Sequence, residues 1–371
     1  MEGQYIKQNM CLQVVGKMNI PYDKSAVKEY YMNEGEQSPV VSDDRINPSV
    51  QVSEPQLHPV LDDHLQTSTQ KGLFIPRIPP RILAFCGGGS LCVAHIGILK
   101  SLKKHGLLSS VKECIGVSAG CIISLLYILG YTLTEIEKLT LSIDFSIFVP
   151  SFEPERVLSF FNEWGFDKGD KVERLISSLL VNKGLTPDIT FSDFAKKYPI
   201  KLRCYATEIQ SAKIKEFSVK HTPNSTLLFA IRSSMSVPML FTPPRDPLTG
   251  MLYMDGGIIH NMPIVILSPS EIKHTLCCFF DVTHTCLENP AEITGFDICK
   301  SIYSSFTSHR NNAFIKKYPE NILVLPLYGY TAVGFETKEI SRKLITIGEN
   351  ICDIFLSGRP SVRIPRRYSV A

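Results

Sequence analysis

A serine between two glycines, Gly116-Val117-Ser118-Ala119-Gly120, follows Glu113-Cys114-Ile115 and leads into the apolar run Cys121-Ile122-Ile123-Ser124-Leu125-Leu126. That order predicts a strand, a turn of almost no length, and then a helix. Only small residues fit beside the serine in so tight a turn, which leaves its hydroxyl exposed at the helix N-terminus. Unpaired N–H groups and the helix dipole favour negative charge there. The pattern restricts the chain to an α/β architecture and marks Ser118 as a candidate nucleophile.

The surrounding sequence repeats the alternation. Ile82 to Phe85 predicts a short buried strand that ends in Cys86-Gly87-Gly88-Gly89-Ser90. A helix is expected next, with Val93, Ile96, Leu99 and Leu102 on one face. Val111 to Val117 predicts the second strand and Ala119 to Leu129 the helix after the serine turn. Strand, glycine loop, helix, strand is the pattern of a parallel sheet covered by helices. The stretch from about 135 to 200 reads as helices, one opened by Thr134-Glu135 and one from Lys171 to Leu180 stopped at Lys183-Gly184. Lys201 to Thr207 and Lys213 to Val219 read as paired strands, and Thr275 to Val282 as a buried one. Ile340, Leu344, Ile347 and Ile351 recur at helical spacing, so a C-terminal helix is expected to pack on the domain.

Composition sets the limits. With 371 residues and 44% hydrophobic content, the chain can build one large α/β core. Residues 1–74 are rich in Gln, Ser, Asp and Pro and are expected to be a largely disordered leader, apart from a short helix from Ser25 to Met32. Residues 75–80 form a Pro-rich boundary, 81–357 the folded domain, and 358–371 a basic tail. Residues 1–70 hold 5 Lys/Arg against 10 Asp/Glu, so the rest of a chain of net charge +3 is basic. A basic body suits an anionic lipid surface, and no nucleic-acid-binding motif accompanies the charge. The eleven cysteines show no C-x-x-C pair, and no secretory leader is evident. An intracellular protein, cytoplasmic or peripherally bound to membrane, is the expectation; oligomeric state is not legible.

Two further features carry chemistry. Gly87, Gly88 and Gly89 follow a strand and open a helix, so their amides are placed to converge on an anion such as a tetrahedral oxyanion. No Gly-Lys-Ser/Thr follows, which argues against a P-loop, and Cys92 stands where a dinucleotide fingerprint needs glycine. The other feature is Asp255-Gly256-Gly257, whose glycines let the backbone curl close to the serine turn. His95 and His260 are the candidates for a histidine triad; His95 reads as structural, and His260 follows Asp255 too closely to bridge it to Ser118. His284 lies near Asp281, but no ligand spacing supports a metal site.

Four blocks in order resemble the patatin-like phospholipase family: Gly87 to Gly97, Gly116 to Gly120, Ser234-Met235-Ser236-Val237-Pro238 through Pro243, and Asp255 to Pro263. The resemblance spans roughly residues 80–285. It implies a three-layer fold with a central mostly parallel sheet flanked by helices. It also implies a lipid acyl hydrolase with Ser118 as nucleophile, Asp255 as base, Gly87 to Gly89 as the oxyanion loop, and support from Gly116, Gly120, Gly256 and Gly257. No cofactor or metal is implied. The expected partner is a lipid substrate at a membrane or droplet surface.

One departure stands out. The family's loop reads Gly-Gly-Gly-x-Arg-Gly, whereas Leu91 and Cys92 occupy its last two positions here. The expected consequence is slower turnover or restriction to uncharged acyl esters, with hydrolysis retained. The alternative is a lipid-binding or scaffold member of the same fold with weakened catalysis.

Overall fold

The computed structural model describes residues 79–143, 160, 162–282, 310–327, 330 and 337–358. The expected leader with its Ser25 to Met32 helix, most of the 75–80 boundary and nearly all of the basic tail lie outside these described residues.

In chain order the strands are β1 (Ile82–Phe85), β2 (Glu113–Val117), β3 (Gly165–Asp167), β4 (Lys201–Glu208), β5 (Lys213–Ser218), β6 (Met239–Phe241), β7 (Tyr253–Asp255), β8 (Thr275–Asp281) and β9 (Ile322–Pro326). The helices are α1 (Ala94–Lys104), α2 (Gly120–Ile128), α3 (Leu133–Ser142), α4 (Asp170–Val181), α5 (Phe191–Lys197), α6 (Leu227–Ser234), α7 (Gly257–His260), α8 (Pro269–Ile272) and α9 (Lys338–Leu356). A central sheet runs β5-β4-β2-β1-β8-β9, with β7 added to β4. The pairs β4–β2, β2–β1, β1–β8 and β8–β9 are parallel, while β5 and β7 run antiparallel to β4. Every residue of β1 is buried, and β8 is buried from Thr275 to Phe280. Continuous apolar strands of this kind are covered on both faces, as a parallel sheet demands.

Local chemistry sets the helix ends. Thr132 accepts from the Glu135 N–H at 3.2 Å, and Glu135 accepts from the Thr132 N–H at 2.7 Å. This reciprocal cap starts α3 at Leu133 rather than at the expected Thr134-Glu135. The C-terminal helix expected from its apolar spacing is α9. It docks on α1 through Asp353, which accepts from Ser101 Oγ at 2.6 Å, Lys104 Nζ at 2.7 Å and His105 Nε2 at 3.0 Å.

Three expectations need correction. Gly89–Val93 is a 3-10 turn, so the helix after the glycine loop proper begins at Ala94. The second strand begins at Glu113 rather than Val111. Third, the stretch from 135 to 200 is not all helical: β3 pairs in parallel with β6 as a separate two-stranded sheet, Gly165 opposite Met239 and Asp167 opposite Phe241. A Cβ on Gly165 would lie 2.1 Å from the Thr242 nitrogen, so this pairing depends on the bare backbone. Buried Arg232 of α6 ties it down, donating from Nη2 to the carbonyls of Lys168 at 2.7 Å and Thr242 at 3.1 Å.

Candidate active site

Strands β2 and β7 share one edge of β4, because β5 occupies the other. β2 is parallel to β4 and places Val117 opposite Tyr205; β7 is antiparallel and places Asp255 opposite Ala206. The two strands therefore run toward each other and end head to head. Ser118, one residue beyond β2, is brought to Asp255, the last residue of β7.

Ser118 has φ 51, the left-handed region that costs a non-glycine residue about 1–2 kcal/mol. Such a conformation persists where its surroundings fix it. The Ser118 N–H donates to Ser234 Oγ at 2.8 Å, and Ser234 Oγ donates on to the Tyr205 carbonyl at 2.7 Å. The Ser118 carbonyl accepts from the Cys121 N–H at 2.9 Å. A Cβ on Gly120 would lie 2.4 Å from the Phe85 carbonyl oxygen, so the glycine lets α2 start directly against β1. The same Ser234–Ser236 segment holds Asp255: its N–H donates to the Ser236 carbonyl at 2.8 Å, and the Gly256 N–H donates to that of Ser234 at 3.3 Å. Thr207 Oγ1 donates to the Asp255 carbonyl at 3.0 Å. Ser234 thus fastens both halves of the pair, a role that sequence reading had not assigned to it.

Asp255 is buried, with Oδ1 accepting from the Gly257 N–H at 2.7 Å. Burial raises its pKa from 3.8 to about 6, against the opposing influence of the Ser118 hydroxyl and the Gly257 N–H. The Ser118 hydroxyl is close enough to act on the carboxyl, yet Oδ2 is buried with no hydrogen bond of normal geometry. Catalytic hydrogen bonds are often long in the absence of substrate. One oxygen of the carboxyl is anchored and the other is left to take up a proton.

The glycine loop lies against the serine. A Cβ on Gly87 would come within 2.7 Å of the Ser118 Cβ, so nothing larger than glycine fits there. Gly87 does not present its amide to the site, however: its N–H donates to Asn261 Oδ1 at 2.8 Å, and its carbonyl accepts from Asn261 Nδ2 at 3.3 Å. The Asn261 side chain clamps the glycine loop to the Asp255 turn. Of the three expected donors, Gly88 and Gly89 keep N–H groups that no hydrogen bond among the described residues engages. Gly116 is the penultimate residue of β2, next to Val117, and Gly256 and Gly257 form the turn into α7.

A cavity of about 270 Å³ opens at Ser118. Its walls come from the glycine loop, α2, α3, α4 and β6, and include Ile122, Leu126, Leu139, Leu175, Val237 and Phe241. Cys92 also lines it, whereas Leu91 is wholly buried in the core. The position that carries arginine in the family's loop is therefore a core position here.

Neither candidate histidine makes a hydrogen bond to Ser118 or Asp255 among the described residues. Fully buried His95 stacks on Phe280 at 4.3 Å and bonds the Cys86 carbonyl through Nε2 at 3.1 Å. Burial depresses its pKa to about 3, so it is neutral and structural. His260 is lowered to about 4 by burial and by Arg310. Among the described residues no group of three or more His, Cys, Asp or Glu side chains is placed to hold a metal ion. No described helix is long and apolar enough to cross a membrane.

The chain is similar to known proteins over this region. An uncharacterized protein of Acanthamoeba polyphaga mimivirus is 29% identical over 54% of this chain and 65% of its own length. A probable lipid hydrolase of Invertebrate iridescent virus 6 is 27% identical over 50% of this chain and 62% of its own. The chain thus spans just under two thirds of either relative. Among solved structures, VipD from Legionella pneumophila shares the fold with a TM-score of 0.50 at 14% identity, covering 80% of this chain and 72% of that one. The patatin-like phospholipase family matches residues 83–268, which include the glycine loop, Ser118, Ser234 and Asp255. The chain belongs to the patatin-like phospholipase family.

Proposed function

We propose that this protein hydrolyses acyl-ester bonds of glycerophospholipids or neutral lipids, with Ser118 as nucleophile and Asp255 as its base. The observation that carries the reading is the head-to-head meeting of β2 and β7 along β4, at the mouth of an apolar cavity. The acyl chain lies in that cavity with its carbonyl at Ser118. Ser118 Oγ attacks the carbonyl carbon while its proton passes to Asp255 Oδ2. The Gly88 and Gly89 N–H groups receive the developing oxyanion, each such donor contributing about 10²–10³ in rate. Collapse expels the alcohol, which takes the proton from Asp255. Water, deprotonated by Asp255, then attacks the acyl-enzyme, and the fatty acid leaves as Ser118 regains its proton.

The base must be ionised. With a pKa of about 6, kcat/KM is expected to rise with pH up to an apparent pKa near 6 and to level off above it. Fatty-acid release from phosphatidylcholine vesicles, lysophospholipid and triacylglycerol emulsions, measured from pH 4 to 9, checks both substrate and limb. No release from any of these by folded protein that binds vesicles would leave the lipid-binding alternative in its place. Ser234→Ala leaves the buried Ser118 N–H and the Tyr205 carbonyl without their side-chain partner. We expect a loss of about 1–3 kcal/mol in stability and a tenfold or larger fall in kcat. An unchanged kcat in a stable variant would free Ser234 of a positioning role.

A further inference from the structure

Among the described residues the large apolar side chains that stand in solvent are Trp164, Val181, Met239 and Leu248, and two of these lie in or next to the small two-stranded sheet. Trp164 is 64% exposed and Met239 is 38% exposed. Trp164 immediately precedes β3, and the first residue of β3, Gly165, pairs with Met239 at the start of β6. The next two residues of β6, Leu240 and Phe241, are cavity walls. One small sheet therefore supplies walls of the cavity and carries the exposed Met239, with the exposed Trp164 directly preceding it in the chain. Both exposed residues hold left-handed backbone, φ 57 at Trp164 and φ 68 at Met239. Neither conformation is eased by burial of the side chain it carries.

From this placement we infer that the Trp164–Met239 corner is a docking surface for the interfacial layer of a phospholipid bilayer. The inference rests on the lipid-ester reading above, because a diacyl substrate must pass from an aggregate into the cavity with its mouth against that aggregate. The chemistry suits the occupant. Tryptophan partitions to the headgroup boundary, where its ring meets hydrocarbon and its N–H meets water. Methionine adds flexible apolar surface that adapts to moving lipid tails. Charge favours a zwitterionic surface: with Asp167 buried, residues 163–174 offer three acids (Glu163, Asp170, Glu173) and three bases (Lys168, Lys171, Arg174), and Lys168 pairs with Glu163 at 3.1 Å. Nearly balanced charge gives no strong attraction to an anionic bilayer, so apolar insertion carries the binding and added salt has little influence on it.

The chain contains a single tryptophan, which makes the surface its own reporter. The full-length Ser118→Ala variant is titrated with phosphatidylcholine vesicles, with and without lipids brominated along the acyl chain, at 0.1 and 0.5 M NaCl. Docking predicts a blue shift of Trp164 emission, quenching by the brominated lipid, and a vesicle affinity that changes less than twofold with salt. Trp164→Asn and Met239→Asn keep a residue that tolerates left-handed backbone. Each is expected to weaken co-sedimentation with vesicles about tenfold while hydrolysis of a soluble short-chain ester stays within twofold of wild type. Vesicle binding without a change in Trp164 emission assigns docking to another surface and overturns the inference. So does the absence of vesicle binding by protein that hydrolyses the soluble ester, an outcome that would fit a protein partner on this corner instead. If no ester is cleaved but Trp164 still enters the bilayer, the docking surface stands and the catalytic reading falls.

Discussion

Asp255→Asn is expected to lower kcat for acyl-ester hydrolysis by about 10³-fold or more, through loss of the carboxylate proposed as the base for Ser118. Asparagine keeps an oxygen for the Gly257 N–H, which now bonds Oδ1 at 2.7 Å, so the turn into α7 survives. The second atom of the group changes from a proton acceptor to a donor, and Ser118 can no longer hand its proton over. The substitution also has a stability signature. In the folded protein the Asp255 pKa is raised from 3.8 to about 6. A raised carboxylate pKa stabilises the fold below the unfolded value, and that contribution is lost as pH rises through the folded value. Wild-type stability should therefore fall between about pH 4 and pH 7 relative to the asparagine variant. The change in the difference is on the order of 2–3 kcal/mol, following about 1.4 kcal/mol per pKa unit. Chemical denaturation of both proteins at pH 4 and pH 8 measures it. A difference that stays constant across that range would mean that Asp255 is not a strained buried carboxyl, and the pH limb proposed for catalysis would lose its cause.

Ser118→Ala is expected to bring fatty-acid release to the uncatalysed background, a fall of about 10⁴-fold or more, because in the proposed mechanism every covalent step passes through its oxygen. Comparison with Ser118→Gly separates chemistry from strain. Both variants lack the hydroxyl, yet only glycine adopts φ 51 without steric cost. The glycine variant should match the alanine variant in inactivity and exceed it in stability by about 1 kcal/mol. Equal stabilities would show that the elbow stores no strain at this residue.

The sequence made the serine elbow legible because its constraints are local: a strand, small flanking residues and a helix in a dozen positions. β1 and β8 were legible as short continuous apolar runs, β4 and β5 by their alternation, and α9 by apolar residues at helical spacing. Legibility failed where the deciding contact is distant in sequence. β3 has three residues, too few to display alternation, and it exists because Gly165 and Met239 meet across the fold. The Asp255 block was visible as a motif, but its junction with Ser118 depends on two strands sharing an edge of β4. Ser234 and Asn261 were visible inside motifs without their roles. A hydroxyl on the Ser118 amide and a side-chain amide on Gly87 are long-range hydrogen bonds with no local signature. The expected set of three amide donors was too large for the same reason.

The central claim is that Ser118 is an activated nucleophile served by Asp255, and covalent trapping tests it most directly. The wild-type protein is incubated at pH 8 with an alkyl fluorophosphonate, and the product is read by intact mass and peptide mapping. The account predicts one adduct per chain, located on the peptide carrying Ser118, with labelling slowed at least a hundredfold in Asp255→Asn. Absence of an adduct in folded wild-type protein, or an adduct mapped to a different serine, would contradict it.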